Sequence, residues 1–150
     1  DFFQGEIIAT VSATNSGLGS SLSATSGSYI SAGKPVSINF SQTLTVTVQG
    51  DTHASQDFTC RVTVKRGSTI IKTVTIQPNR FNYPPSSGGQ PGDLDTEAVY
   101  DLSSFAIDDS TGTGSRTYTI ESVSLTSPTS PYTYYRDHEI SLYAQENKLA

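Results

Sequence analysis

Side chains able to do chemistry are few and scattered in this chain. The histidines, His53 and His138, each fall near the end of a predicted strand. Neither has a cysteine or another histidine at ligand spacing, so a zinc site is not expected and both read as solvent-exposed. Asp93, Asp95 and Glu97 alternate, and Asp108-Asp109 open a turn-like run. Oxygen clusters of this kind can hold calcium, but the EF-hand pattern is missing and a solvated acidic rim is the expectation. The single cysteine, Cys60, lies in a strand phase that points it inward, which predicts a buried and inert thiol. The serines lack a G-x-S-x-G elbow, and a glycosidase would need two positioned carboxylates that sequence cannot place. Asn39-Phe40-Ser41 matches the glycosylation tripeptide but lies within a strand, and so short a pattern arises by chance. The reading is therefore a non-enzyme with no cofactor and no metal.

The element best defined by pattern is Asp57–Gln77. Phe58, Cys60, Val62 and Val64 share one face, with Thr59, Arg61, Thr63 and Lys65 on the other, as in a strand buried on one side. Arg66-Gly67-Ser68 interrupts the pattern, and Thr69–Ile76 resumes it with Ile70, Val74 and Ile76 inward. This predicts a β-hairpin with Lys65 and Lys72 reaching solvent.

Upstream, Glu6–Ala13 alternates with Ile7, Ala9, Val11 and Ala13 on one side. Asn15–Gly27 offers Leu18 and Leu22 as its only anchors and reads as a long loop or weak edge strand, ordered rather than a linker. Val36, Ile38 and Phe40, then Leu44, Val46 and Val48, give two strands, or one with a break near Ser41-Gln42. Downstream, Pro78–Asp95 is a long loop by its prolines and glycines. Ala98–Ile107 has Val99, Leu102, Phe105 and Ile107 without a clean period, which implies a bulge or bend. Asp108–Ser115 reads as a turn. Arg116–Leu125 places Tyr118 and Ile120 inward and, after a phase change, Val123 and Leu125. A second loop, Thr126–Tyr135, precedes a last strand, His138–Ala144, with Ile140 and Leu142 inward. The expected fold is all-β, an antiparallel sandwich or jelly roll of about eight strands in one domain.

Composition bounds the function. Over 150 residues the net charge is −5, so there is no basic stripe for nucleic acid. No apolar run is long enough to span a membrane as a helix. The chain starts at Asp1 and contains no methionine, which reads as a piece of a longer polypeptide. Only 34 % of residues are apolar, less than a lone domain usually carries, so part of the stability is expected from contacts between copies or with partners.

Asp109–Ile120, an Asp and a Gly-rich turn before a Tyr-Thr strand, is followed some twenty residues later by Ile140-Ser141-Leu142-Tyr143-Ala144. This arrangement resembles the closing strands of β-sandwich domains in tail fibres and tail tips of tailed bacteriophages. The resemblance implies a virion component, commonly a trimer, that binds other virion proteins or a host-surface glycan or protein. The alternative is a bacterial cell-surface module, adhesin-like or carbohydrate-binding. In either case recognition is expected on the two long loops, through Arg80, Phe81, Tyr83, Tyr132, Tyr134 and Tyr135, because exposed aromatic and arginine side chains anchor sugar or protein contacts.

Overall fold

The computed structural model describes residues 7–19, 21–49, 59–76, 95–124 and 133–148. His53, Phe58, Arg80, Phe81, Tyr83, Tyr132 and most of the Pro78–Asp95 loop lie outside them. The strands are β1 (Ile7–Gly17), β2 (Ser21–Thr25), β3 (Tyr29–Ile30), β4 (Val36–Gln49), β5 (Cys60–Arg66), β6 (Thr69–Ile76), β7 (Asp95–Asp108), β8 (Ser115–Arg116), β9 (Tyr118–Ser124) and β10 (Thr133–Asn147). Among the described residues no helix is long and apolar enough to cross a membrane.

The pairings obey one rule: counting from the two ends, first meets last. β1 pairs with β10, β2 with β9, β3 with β8, β4 with β7, and β5 with β6, all antiparallel. The chain is thus one long nested hairpin whose tip is the β5–β6 turn. Wrapping that hairpin lays β10 beside β4 and β9 beside β5. The result is sheet A, ordered β1-β10-β4-β7, facing sheet B, ordered β2-β9-β5-β6, with the short β3–β8 pair apart from both. Two four-stranded sheets connected in this way form a jelly roll, the all-β sandwich expected from the sequence.

The core follows strict period-2 alternation. β4 turns Val36, Ile38, Phe40, Gln42 and Leu44 inward, and β10 answers with Glu146, Ala144, Leu142, Ile140 and His138 in register. From sheet B come Cys60, Val62 and Val64 of β5 and Tyr118, Ile120 and Ser122 of β9. Cys60 is a free, buried thiol, as its phase required.

Several local readings are corrected. No break separates Ser41 from Gln42: β4 is a single strand, and Gln42 takes an inward position in phase with its apolar neighbours. Ile70 is 59 % exposed, because a register shift after Val64 pairs Lys65 with Ile70 and turns Ile71 toward the core instead. Thr63, read as outward, is buried. Lys72 does not simply reach solvent; its ammonium crosses to sheet A and donates to Ser104 Oγ (3.2 Å) and the Phe105 carbonyl (2.8 Å). Ile7 is exposed beside the irregularity at the start of β1, and Leu18 is no anchor, although Leu22 packs on the core.

β7 runs against β4 without a bulge, so Ala106 and Asp108 face in while Phe105 and Ile107 face out. β9 has no phase change, and Ser122 rather than Val123 is the buried residue. Tyr134 and Tyr135 belong to β10, paired with Thr47 and Val46, rather than to a loop. At the hairpin tip Gly67 takes φ 55°, the left-handed turn conformation for which glycine carries no side-chain penalty.

Candidate functional site on the outer face of sheet A

The register of sheet A lines up small hydroxyl side chains across all four strands. Thr14 on β1 faces Ser141 on β10, Ser141 faces Ser41 on β4, and Ser41 faces Ser103 on β7. These residues point away from the core, and Ser41 and Ser141 confirm the alignment with a hydroxyl hydrogen bond of 2.6 Å. One row along, the side chains are larger: Tyr143, Asn39 and Phe105 lie opposite one another in sequence across β10, β4 and β7. On the other side the row is Glu139, Thr43 and Asp101.

The flanking rows are short on β1, at Ser12 and Ser16, and rise above the hydroxyl row chiefly on β10 and β7, through Tyr143, Phe105, Glu139 and Asp101, which leaves a trough running across the strands. It is present as two shallow depressions of about 540 Å³ and about 460 Å³ that share Thr14, Ser41 and Ser141 in their linings. One wall is partly apolar, with Tyr143 42 % and Phe105 54 % exposed, and Ile107 continues that apolar surface along β7. The Gln145 side-chain amide donates to the Tyr143 hydroxyl at 3.1 Å and fixes one end of the ring. The opposite wall carries the exposed carboxylates of Glu139 and Asp101. Such a surface combines hydrogen-bonding groups of both senses with aromatic faces, which suits binding of a polyhydroxylated molecule better than bond-making.

Two further polar clusters lie inside the sandwich. In the first, the Ser122 hydroxyl lies 2.9 Å from His138 Nε2, and His138 Nδ1 lies 2.9 Å from the Gly19 carbonyl. The carbonyl can only accept, so Nδ1 carries the proton and Nε2 accepts from Ser122. Burial pushes the His138 pKa down, against the opposing effect of the Gly19 carbonyl. The Gln42 amide nitrogen donates to Ser122 Oγ (3.2 Å) and Cys60 Sγ (3.3 Å), leaving Gln42 Oε1 without a partner. Burial likewise pushes the Cys60 thiol up. Serine, histidine and an orienting carbonyl in line resemble a nucleophile, its base and a third group. Here, however, Ser122 is 0 % and His138 1 % exposed, so no substrate reaches them. The exposed His138 expected from sequence is therefore corrected: it fills an inward position at the start of an apolar stripe.

The second cluster closes the other end. Asp108 accepts from Arg66, from the Tyr118 hydroxyl (2.6 Å) and from the Ser110 amide (3.2 Å). Glu146 accepts from Ser31 (2.6 Å), the Ala32 amide (2.7 Å) and Tyr29 (3.0 Å). Buried Arg116 lies between the two carboxylates, 3.9 Å from Asp108 and 3.8 Å from Glu146, and donates to the carbonyls of Ser110 and Gly112. Burial alone would raise both carboxyl pKa values, but these hydrogen bonds and the guanidinium charges outweigh it and hold both below their ordinary range. Asp108 is thus a buried ion-pair member and not part of a solvated acidic rim. Gly33 adds to the closure: at φ 79°, its position leaves a Cβ only 2.9 Å from the Thr111 carbonyl oxygen.

The loop aromatics named from sequence are not gathered into one site among the described residues. Arg80, Phe81, Tyr83 and Tyr132 lie outside them, and Tyr134 and Tyr135 extend β10 toward the end of β4. Among the described residues no three His, Cys, Asp or Glu side chains cluster as a metal site. The trough itself escaped sequence reading because its residues are common outward hydroxyls; only the register across four distant strands brings them together.

Neither a protein-family model nor a curated protein sequence matches the chain. Among solved structures, dimeric latent PorU from Porphyromonas gingivalis matches 96 % of this chain with a TM-score of 0.40 and 6 % identity. The infectious bursal disease virus Gx strain structure matches 97 % with a TM-score of 0.38 and 13 % identity, and the VP2 subviral particle of that virus 95 %, with 0.35 and 12 %. The chain spans 13 %, 33 % and 32 % of those proteins, respectively. Virus-particle proteins thus stand among the matches, at a similarity too low to carry function, and the tail-fibre resemblance of the closing strands finds no support in these three.

Proposed function

We propose that the chain is a non-catalytic virion domain, a tail-fibre or tail-tip module of a tailed bacteriophage, that attaches to a host surface through the outer face of sheet A. The trough carries this reading: it is an open hydroxyl-lined surface with an aromatic wall, while the serine–histidine pair found among the described residues is sealed in the core. The jelly-roll architecture agrees by analogy, since virus capsid and lectin domains both use it. Arg80, Phe81, Tyr83 and Tyr132, with Tyr134 and Tyr135 on β10, would extend recognition beyond the trough. The second reading, a bacterial adhesin-like or carbohydrate-binding module, rests on the same surface and differs in what the domain is joined to.

Assembly into a trimer belongs to the first reading. It is supported by β1, an edge strand of sheet A that contains neither charge nor proline, whereas the opposite edge, β7, exposes the carboxylate of Asp101. Uncharged edges accept a further strand and charged ones resist it. Light scattering is expected to return a multiple of 16.0 kDa at micromolar concentration, and a monomer mass would refute self-assembly. For attachment, the fluorescent domain is expected to label host cells and the variant Ser41→Tyr, which fills the trough, to lose that labelling. Equal labelling by both would remove the trough from the function.

A further inference from the structure

We infer that the ligand of the trough is an uncharged oligosaccharide lying across the strands of sheet A with one ring against Tyr143, an inference that rests on the attachment reading above. Charge selects it first. The outward positions of the four strands include the exposed carboxylates of Asp101, Asp137 and Glu139. A uronate, sialylated or phosphorylated chain would meet charge of its own sign, whereas neutral hydroxyls donate to carboxylates in strong, charge-assisted bonds.

Hydrogen-bonding sense selects it next. The row Thr14, Ser141, Ser41 and Ser103 offers hydroxyls that both donate and accept, and Asn39 adds an amide with both senses. A ligand that is itself a row of hydroxyls satisfies such a floor.

Dimensions and topology exclude the main competitor. Four strands span about 14 Å, and walls set two residues to either side of the floor stand about 14 Å apart, room for a short chain rather than a single sugar. A peptide binds by adding to a strand edge or by seating apolar anchors in a groove. The floor of the trough offers neither, because β10 and β4 are already paired on both sides and the side chains between the walls are hydroxyls. Tyr143, braced by Gln145, supplies the flat apolar face against which a sugar ring rests.

Titration calorimetry with hexasaccharides of glucose, mannose, galactose and N-acetylglucosamine, and with hexagalacturonate as the acidic probe, tests the inference. At least one neutral hexamer is expected to bind and hexagalacturonate not to. Tyr143→Ala is expected to weaken binding by about tenfold or more and Ser41→Tyr to abolish it, with circular dichroism and melting unchanged for both. Comparable binding of hexagalacturonate, silence from all four neutral hexamers, or indifference to Tyr143→Ala overturns it. Cell labelling separates the two levels. Labelling that survives periodate oxidation of the cells but is lost in Ser41→Tyr refutes the sugar while keeping the attachment reading; no labelling by the unaltered domain refutes both.

Discussion

Replacing Asp108 by asparagine tests how much the buried ion cluster contributes to the fold. The carboxylate is 2 % exposed and accepts from Arg66, Tyr118 and the Ser110 amide, with Arg116 at 3.9 Å. Removing one partner of a buried pair costs about 3–5 kcal/mol when the remaining charge is stranded. The stranding here is partial, because Arg116 keeps Glu146 at 3.8 Å and Arg66 retains some exposure to solvent, so the lower end, about 3 kcal/mol, is expected. For a chain of this length that corresponds to a fall of roughly 6–12 °C in melting temperature. The pH dependence follows from the depressed carboxyl pKa: the stabilisation is fully present above the unfolded value, near pH 4, and is lost as pH falls through the folded one. Urea titrations at pH 7 and at descending pH below about 4 should therefore show two curves that converge on acidification. A variant within about 0.5 kcal/mol of the parent at pH 7, or a gap that stays constant into acid, would refute the argument.

Three further outcomes follow from the core. Cys60 should react slowly with a thiol reagent in the native protein and rapidly in denaturant; fast native labelling would contradict its burial. His138, whose folded pKa is lowered, should make the domain lose stability as pH falls below its unfolded value of about 6.5, and His138→Gln should lack that slope in urea titrations between about pH 5 and 7. Gln42→Leu removes both two donated hydrogen bonds and an unpartnered buried oxygen, so its stability is expected within about 1 kcal/mol of the parent by chemical denaturation, and a loss of about 3 kcal/mol would show that the amide's bonds dominate.

Alternation made much of the sandwich legible in advance. Cys60, Val62 and Val64, then Val36, Ile38 and Phe40, then Ile140 and Leu142 all face inward as their spacing required. What could not be read is polarity out of place. Gln42, Ser122, His138 and Asp108 occupy inward positions, and a pattern that assigns polar residues outward must misplace them, inventing a break at Gln42 and a phase change at Ser122. Ile70 was misplaced for a different reason, since the one-residue irregularity at Ile71 puts Ile70 out of phase with Val74, which packs on the core as its spacing required. The trough was invisible because Thr14, Ser41, Ser103 and Ser141 meet only through β1–β10, β10–β4 and β4–β7 pairing.

The inward polar residues also explain how a chain so poor in apolar side chains holds one register. On β10 the inward stripe reads His138, Ile140, Leu142, Ala144, Glu146, and on β9 Ser122, Ile120, Tyr118. Apolar layers thus lie between a neutral polar cluster at one end and a charged one at the other. A slip of one residue between strands would turn every apolar side chain outward, so burial alone forbids it. A slip of two keeps the faces, and the apolar layers, built from similar residues, resist it weakly. It would part Ser122 from His138 and Asp108 from Arg66 and Tyr118, leaving buried groups unpaired at about 1–3 kcal/mol each and more for the charges. The end clusters therefore set the register from within. The hydroxyl floor of the trough inherits that setting through β10, because Ser141 stands directly between Ile140 and Leu142, and a shift of β10 that misaligned it with Thr14 and Ser41 would also part His138 from Ser122 and Glu146 from Ser31.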